Sequence, residues 1–232
     1  MNTLNPQQIT GIILSGGDST RFGSDKALAP FLGTSFLLRQ LGLLEKVCSK
    51  VFLSVKNEEK LTEYRRHIIE GWKLEKLPDW LSFVVDSPDF YSRGPAKGVF
   101  SCLKKATSEY ILVIPVDMPF IEIAHLSFLQ KLFKKKQINK EIALVGWKQK
   151  NGKIPYPFFM GKTIPILELL KRVKKSSTVP LRWIYHQVPN QILIEPINDQ
   201  FLTNINFPEL LNKPKSQIPF HVKSLFIRHH NP

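Results

Sequence analysis

Apolar residues along this 232-residue chain gather in short continuous runs, and between the runs they recur at helical spacing. The first run, residues 9–14, leads through Ser15 into Gly16-Gly17 and predicts a buried strand entering a loop. Ser35 is placed to cap a helix in which Phe36, Leu37, Leu41, Leu44 and Val47 fall on one face. Residues 51–55 predict a second strand, followed by a charged helix from Glu58 to about Glu70. A third strand is expected at 82–85 and a helix at 99–106. Residues 110–116 are β-branched and uninterrupted, as in a strand covered on both faces.

Past residue 120 the rhythm changes. A helix at about 123–136 leads to an apolar run at 142–147, the turn signal Asn151-Gly152 and a second run at 158–160, a pattern that predicts a hairpin. Helices around 164–174 and 179–186 follow, with a late strand at 191–195. Strands that alternate with helices imply an α/β architecture, a mostly parallel, doubly wound sheet with a mixed hairpin elaboration in the C-terminal half. No repeat, low-complexity tract or long linker divides the chain. We expect one domain over 1–211, with a half before about residue 120 and a second half from 121 to 211, then a C-terminal tail at 212–232. Residues 65–78 are expected to form a surface excursion, with Trp72 and Trp80 as packing residues.

Charge adds a second constraint. With 33 Lys and Arg against 19 Asp and Glu, the net charge is +14, which suits polyanionic partners without naming one. Much of the excess lies in the lysine clusters 134–136 and 171–175, and these read as solvated helix ends. Cys48 and Cys102 are too few and too far apart for a disulfide framework or a zinc knuckle. No secretory leader pattern opens the chain and its apolar runs are strand-length, so a cytoplasmic protein without membrane partners is expected.

In doubly wound sheets ligands bind beyond the carboxyl ends of the strands. The first strand ends in L-S-G-G-D-S-T-R-F-G-S-D-K, residues 14–26; Asn57 follows the second strand, Asp86 the third and Asp117 the strand at 110–116. Gly16 and Gly17 let backbone N–H groups approach phosphate oxygens. Arg21 and Lys26 bring positive charge on the same loop, and Asp117 offers a hard oxygen ligand for Mg²⁺ bridging phosphates. A Walker loop is excluded because Gly23 is followed by Ser24-Asp25-Lys26, and neither G-x-G-x-x-G nor G-x-S-x-G occurs.

These strings, in this order, resemble the molybdenum cofactor guanylyltransferases within the wider nucleotidyltransferase superfamily. The resemblance runs from L-x-G-G-x-S-x-R-x-G-x-D-K through S-V-K-N ending at Asn57 and D-S-P-D-F-Y-S-R-G-P-A-K-G from Asp86 to Gly98. It continues through P-V-D-M-P around Asp117 and P-Y-P-F-F from Pro155, and ends at N-I-N-F-P from Asn204 to Pro208. It implies a Rossmann-like fold that binds GTP with Mg²⁺ as cofactor and transfers GMP to the phosphate of molybdenum-bearing molybdopterin, releasing pyrophosphate. By motif position, Leu14, Ser15, Gly16, Gly17, Asn57 and Asp86 would contact the nucleotide. Lys26 and Arg21 would hold the triphosphate, and Asp117 the metal, making Arg21, Lys26 and Asp117 the catalytic set. Tyr156, Asn204 and Asn206 would lie on the acceptor side. The partners implied are GTP and a molybdopterin-type acceptor, with transient contact to cofactor-delivery or recipient proteins and no nucleic acid.

The chain departs from the family pattern at four places. Tyr156 stands for His, Phe207 for Thr, Ala96-Lys97 for Leu-Ala and Val116 for Cys. Cytidylyl transfer to the same cofactor, transfer to a sugar or alcohol phosphate, and a non-catalytic basic binding protein on the same fold stay open at this point. Gly16-Gly17 followed by Asp25-Lys26 favours the guanylyl branch.

Overall fold

The computed structural model describes residues 4–15, 25–90, 94–137, 142–152, 154, 157–173 and 179–205. Strand β1 (Ile9–Leu14) is followed by a minimal hairpin, β2 (Pro30–Phe31) and β3 (Thr34–Ser35), and by helix α1 (Phe36–Leu44). Ser35 caps α1, its Oγ accepting from the Leu38 amide at 3.2 Å. Next come β4 (Lys50–Val55), α2 (Glu58–Trp72), β5 (Leu81–Val85), α3 (Pro95–Leu103) and β6 (Tyr110–Pro115). The second half supplies α4 (Ile123–Gln137), β7 (Leu144–Trp147), β8 (Phe159–Lys162), α5 (Thr163–Lys171), α6 (Arg182–Gln187) and β9 (Gln191–Ile194).

Seven of these strands form one sheet in the order β5-β4-β1-β6-β8-β7-β9. The first four run parallel, β8 is antiparallel to both its neighbours, and β9 runs parallel to β7. The predicted hairpin is thus β7–β8, folded so that β8 reaches past β7 to pair with β6. Its connection turns at Gly152, whose amide donates to the Gln149 carbonyl at 2.9 Å.

Helices cover both faces, and the strands are mainly apolar for that reason. Tyr110, Leu112 and Ile114 of β6 face a core shared with α1, α2 and α4, while Ile111 and Val113 face one shared with α3, α5 and α6. Cys48 and Cys102 are both buried free thiols within these layers.

Two expectations need correction. Helix α3 begins at Pro95, four residues before the predicted start, because Gly94 turns the chain with φ 91° and Pro95 is pre-set for a first helical position. The buried residues of its first turn, Ala96 and Gly98, are too small to register as an apolar face. The expected excursion at 65–78 is largely the rest of α2, which buries Tyr64 and Ile68 and ends at Lys73 in the left-handed conformation. Trp72 and Trp80 do pack, their ring centroids 6.0 Å apart at the edge of the core.

An aromatic contact helps to hold the end of the described chain to the sheet. The 3-10 turn Gln200–Leu202 places Phe201 flat on the His125 ring, centroids 3.8 Å apart, with Trp147 and Phe158 around them. His125 accepts from the Glu122 amide at Nδ1 (3.0 Å), and burial pulls its pKa from 6.5 down to about 4. Between pH 6.5 and 4 the unfolded imidazole therefore takes a proton that the folded one refuses, and stability falls as pH falls through that window. At 1.36 kcal/mol per unit the effect is about 3 kcal/mol. The difference in urea-unfolding free energy between wild type and His125→Phe should change by about that amount from pH 7 to pH 4. A pH-independent difference would show that the ring is not held neutral.

Candidate active site

The parallel register brings four strand ends to one level. Leu14 lies opposite Ser54 of β4 and Pro115 of β6, and Ser54 lies opposite Val84 of β5. Ser15, Asn57, Asp86 and Asp117 follow these ends at one edge of the sheet. Ser15 Oγ donates to the Ser54 carbonyl at 2.5 Å, tying the exit of β1 to β4.

The turn carrying Asp117 is clamped through its backbone. The Val116 amide donates to the Leu14 carbonyl at 3.1 Å, and the Ile205 amide donates to the Asp117 carbonyl at 3.0 Å. From α1, Gln40 Nε2 donates to the Met118 carbonyl at 2.7 Å and Arg39 Nε to the Pro119 carbonyl at 2.5 Å. With its main chain so occupied, Asp117 leaves its carboxylate for other work. Lys26 Nζ lies 3.1 Å from Asp117 Oδ2.

Lys26 opens a 3-10 turn, Lys26–Leu28, capped by Asp25, whose Oδ1 accepts from the Ala27 amide at 2.9 Å. Asp25 also accepts from the Tyr64 hydroxyl at 2.9 and 3.1 Å and pairs with Lys60 at 2.6 Å. Three residues after Ser54 and one before α2, the exposed Asn57 caps that helix, its Oδ1 accepting from the Lys60 amide at 3.0 Å. This leaves its amide N–H₂ for a ligand. Asp86 follows β5, and burial raises its pKa, opposed by Lys97, by a hydrogen bond with Ser54 and by Lys56. Gly98 allows this closeness, since a Cβ there would collide with Ser54 Oγ.

Of the residues expected at the site, Lys26 and Asp117 are in direct contact, Ser15 and Asp86 are both linked to Ser54, and Asn57 sits at the head of α2. Asn204, half-buried, precedes the residue hydrogen-bonded to Asp117. Gly16, Gly17, Arg21, Tyr156 and Asn206 lie outside the described residues. Sequence reasoning passed over Arg39, Gln40 and Tyr64, all in or behind the site. A glutamine on the buried side of an otherwise apolar helix was the one signal available.

Among the described residues no cluster of three or more His, Cys, Asp or Glu could hold a metal ion alone. A single accessible carboxylate fits the manner of Mg²⁺, which keeps waters and takes one or two carboxylates together with substrate phosphates.

Residues 11–187 match the MobA-like NTP transferase domain. The chain belongs to that family. It is accordingly an enzyme, a nucleotidyltransferase. A probable molybdenum cofactor guanylyltransferase of Flavobacterium johnsoniae is 26% identical over 207 residues, covering 89% of this chain and 96% of that protein. Another, from a Geobacillus species, is 28% identical over 114 residues, 49% of this chain and 52% of its own length. Among solved structures, molybdopterin-guanine dinucleotide biosynthesis protein A of Archaeoglobus fulgidus superposes with a TM-score of 0.63 at 15% identity. That superposition covers 87% of this chain and 94% of the other. No helix among the described residues is long and apolar enough to cross a membrane.

The Lys26 and Asp117 side chains are 17% and 19% exposed, so their pairing is partly screened and contributes about 1 kcal/mol or less. Lys26→Ala and Asp117→Ala, without ligand, should each shift the melting midpoint by about 2–4 °C or less. A collapse of the fold in either would assign the pair to structure rather than to ligand.

Proposed function

We propose that this enzyme transfers GMP from GTP to the phosphate of molybdenum-bearing molybdopterin, yielding a guanine dinucleotide cofactor and pyrophosphate. The observation that carries the proposal is the Lys26–Asp117 pair, 3.1 Å apart, between the 3-10 turn Lys26–Leu28 and the turn after β6, in a chain of this family. An acceptor phosphate oxygen forms a bond to the α-phosphorus of GTP, and the bond from that phosphorus to the β-bridging oxygen breaks. The attacking oxygen is already anionic, so no strong general base is needed; alignment and charge neutralisation suffice.

Lys26 serves the phosphates, and Arg21, five residues earlier in the sequence, is assigned to them as well. Leu14, Ser15, Gly16 and Gly17 lie along the nucleotide, and Asn57 offers its free amide. Asp86 suits the base, because guanine alone of the four presents two adjacent N–H donors, N1–H and N2–H, to a carboxylate. Burial works against the ionised form that this contact requires, and Lys97, Ser54 and Lys56 oppose that effect. Asp117 would hold Mg²⁺, which when bound neutralises charge building on the departing pyrophosphate. Tyr156, Asn204 and Asn206 are assigned to the acceptor side, where the Ile205–Asp117 hydrogen bond draws that segment toward the metal ligand.

Thermal shift with GTP, CTP, ATP and UTP, each with Mg²⁺, should give the largest stabilisation with GTP; preference for CTP would move the assignment to cytidylyl transfer. With molybdopterin and GTP, Asp117→Ala should release no pyrophosphate while keeping its fold. Normal turnover in that variant would remove Asp117 from the site.

A further inference from the structure

Asp25 closes the stretch that carries Gly16, Gly17 and Arg21, and it meets a side chain from a distant helix. The Tyr64 hydroxyl donates to the Asp25 carboxylate, at 3.1 Å to Oδ1 and 2.9 Å to Oδ2. The Tyr64 ring is buried, 2% exposed, in the core beneath α2, so the hydroxyl is delivered from a fixed base. One turn earlier on α2, Lys60 Nζ lies 2.6 Å from Asp25 Oδ2 and 2.6 Å from Glu63. Every polar contact of the Asp25 carboxylate named here points to α2 or to the amide of its own 3-10 turn.

Neither Tyr64 nor Lys60 belongs to a motif of the strand ends. Their effect passes through Asp25 to its neighbour Lys26. With Asp25 held, the turn Lys26–Leu28 has a fixed start, and Lys26 emerges beside Asp117. We propose that Tyr64 is a positioning residue of the nucleotide site: its hydroxyl is a bracket that holds Asp25 and thereby sets the place of Lys26. The proposal rests on the reading of residues 14–26 as the triphosphate-binding segment. A site pre-set in this way avoids an ordering cost on binding, so loss of the bracket should appear in affinity before it appears in the fold.

Tyr64→Phe keeps the buried ring and removes only the hydroxyl. In calorimetric titration with GTP and Mg²⁺, its Kd should rise about tenfold, the scale of one lost hydrogen bond to a charged group. In steady state, the KM for GTP should rise more than kcat falls. Asp25→Ala should weaken GTP binding by at least as much. The double variant should be little worse than Asp25→Ala alone, because the two side chains act as one unit. Wild-type affinity in a folded Tyr64→Phe, or fully additive losses in the double variant, would overturn the proposal while leaving the nucleotide site intact. A wild-type chain that binds no nucleotide would overturn both.

Discussion

The parallel register of β5, β4, β1 and β6 is the constraint from which the site follows. Strands buried on both faces cannot slide by one residue without turning their apolar side chains against the wrong helix layer. Leu14 is thereby locked opposite Ser54 and Pro115, and the polar residues that come next must emerge together. The core thus does more than stabilise the fold, because it delivers Ser15, Asn57, Asp86 and Asp117 to one edge without any contact among them being required.

Upon that edge a second set of contacts supplies precision. The turn around Asp117 is held by its backbone from β1, α1 and the segment at Ile205, and Asp25 by its side chain from α2. The groups that grip are buried or half-buried, whereas the Lys26–Asp117 pair they support is partly open to water. An ion pair partly open to water is weakened and exchangeable. On the proposed reading, a triphosphate would compete for the lysine and a divalent cation for the aspartate. The same segment that docks through Phe201 on His125 also reaches Asp117, so the aromatic cluster of the second half bears on the proposed metal ligand of the first.

The alternation of strands and helices was readable because continuous apolar runs are an unambiguous mark of a strand covered on both faces. The hairpin of the second half was readable from Asn151-Gly152 and its flanking runs. The insertion of β8 between β6 and β7 was not, since periodicity carries no information on which neighbour a strand chooses. The start of α3 was hidden by small residues, and the β2–β3 hairpin by strands of two residues each. At the site, strand ends and motif order placed Lys26 and Asp117 on the same edge. Their supports were illegible, because Tyr64, Gln40 and Arg39 act across 39 to 80 residues of chain and only packing reveals the pairing. Asn57 shows a related limit, since its oxygen serves the helix it precedes.

The central claim is that the ends of β1 and β6 form one metal–triphosphate site. A crystal structure with a non-hydrolysable GTP analogue and Mn²⁺ in place of Mg²⁺ tests it most directly, because anomalous scattering locates the metal without assumption. A Mn²⁺ peak is expected at about 2.1 Å from an Asp117 carboxylate oxygen, with Lys26 Nζ moved from that carboxylate onto a phosphate oxygen. A metal bound elsewhere, or a nucleotide bound away from this edge with the Lys26–Asp117 contact unchanged, would contradict it.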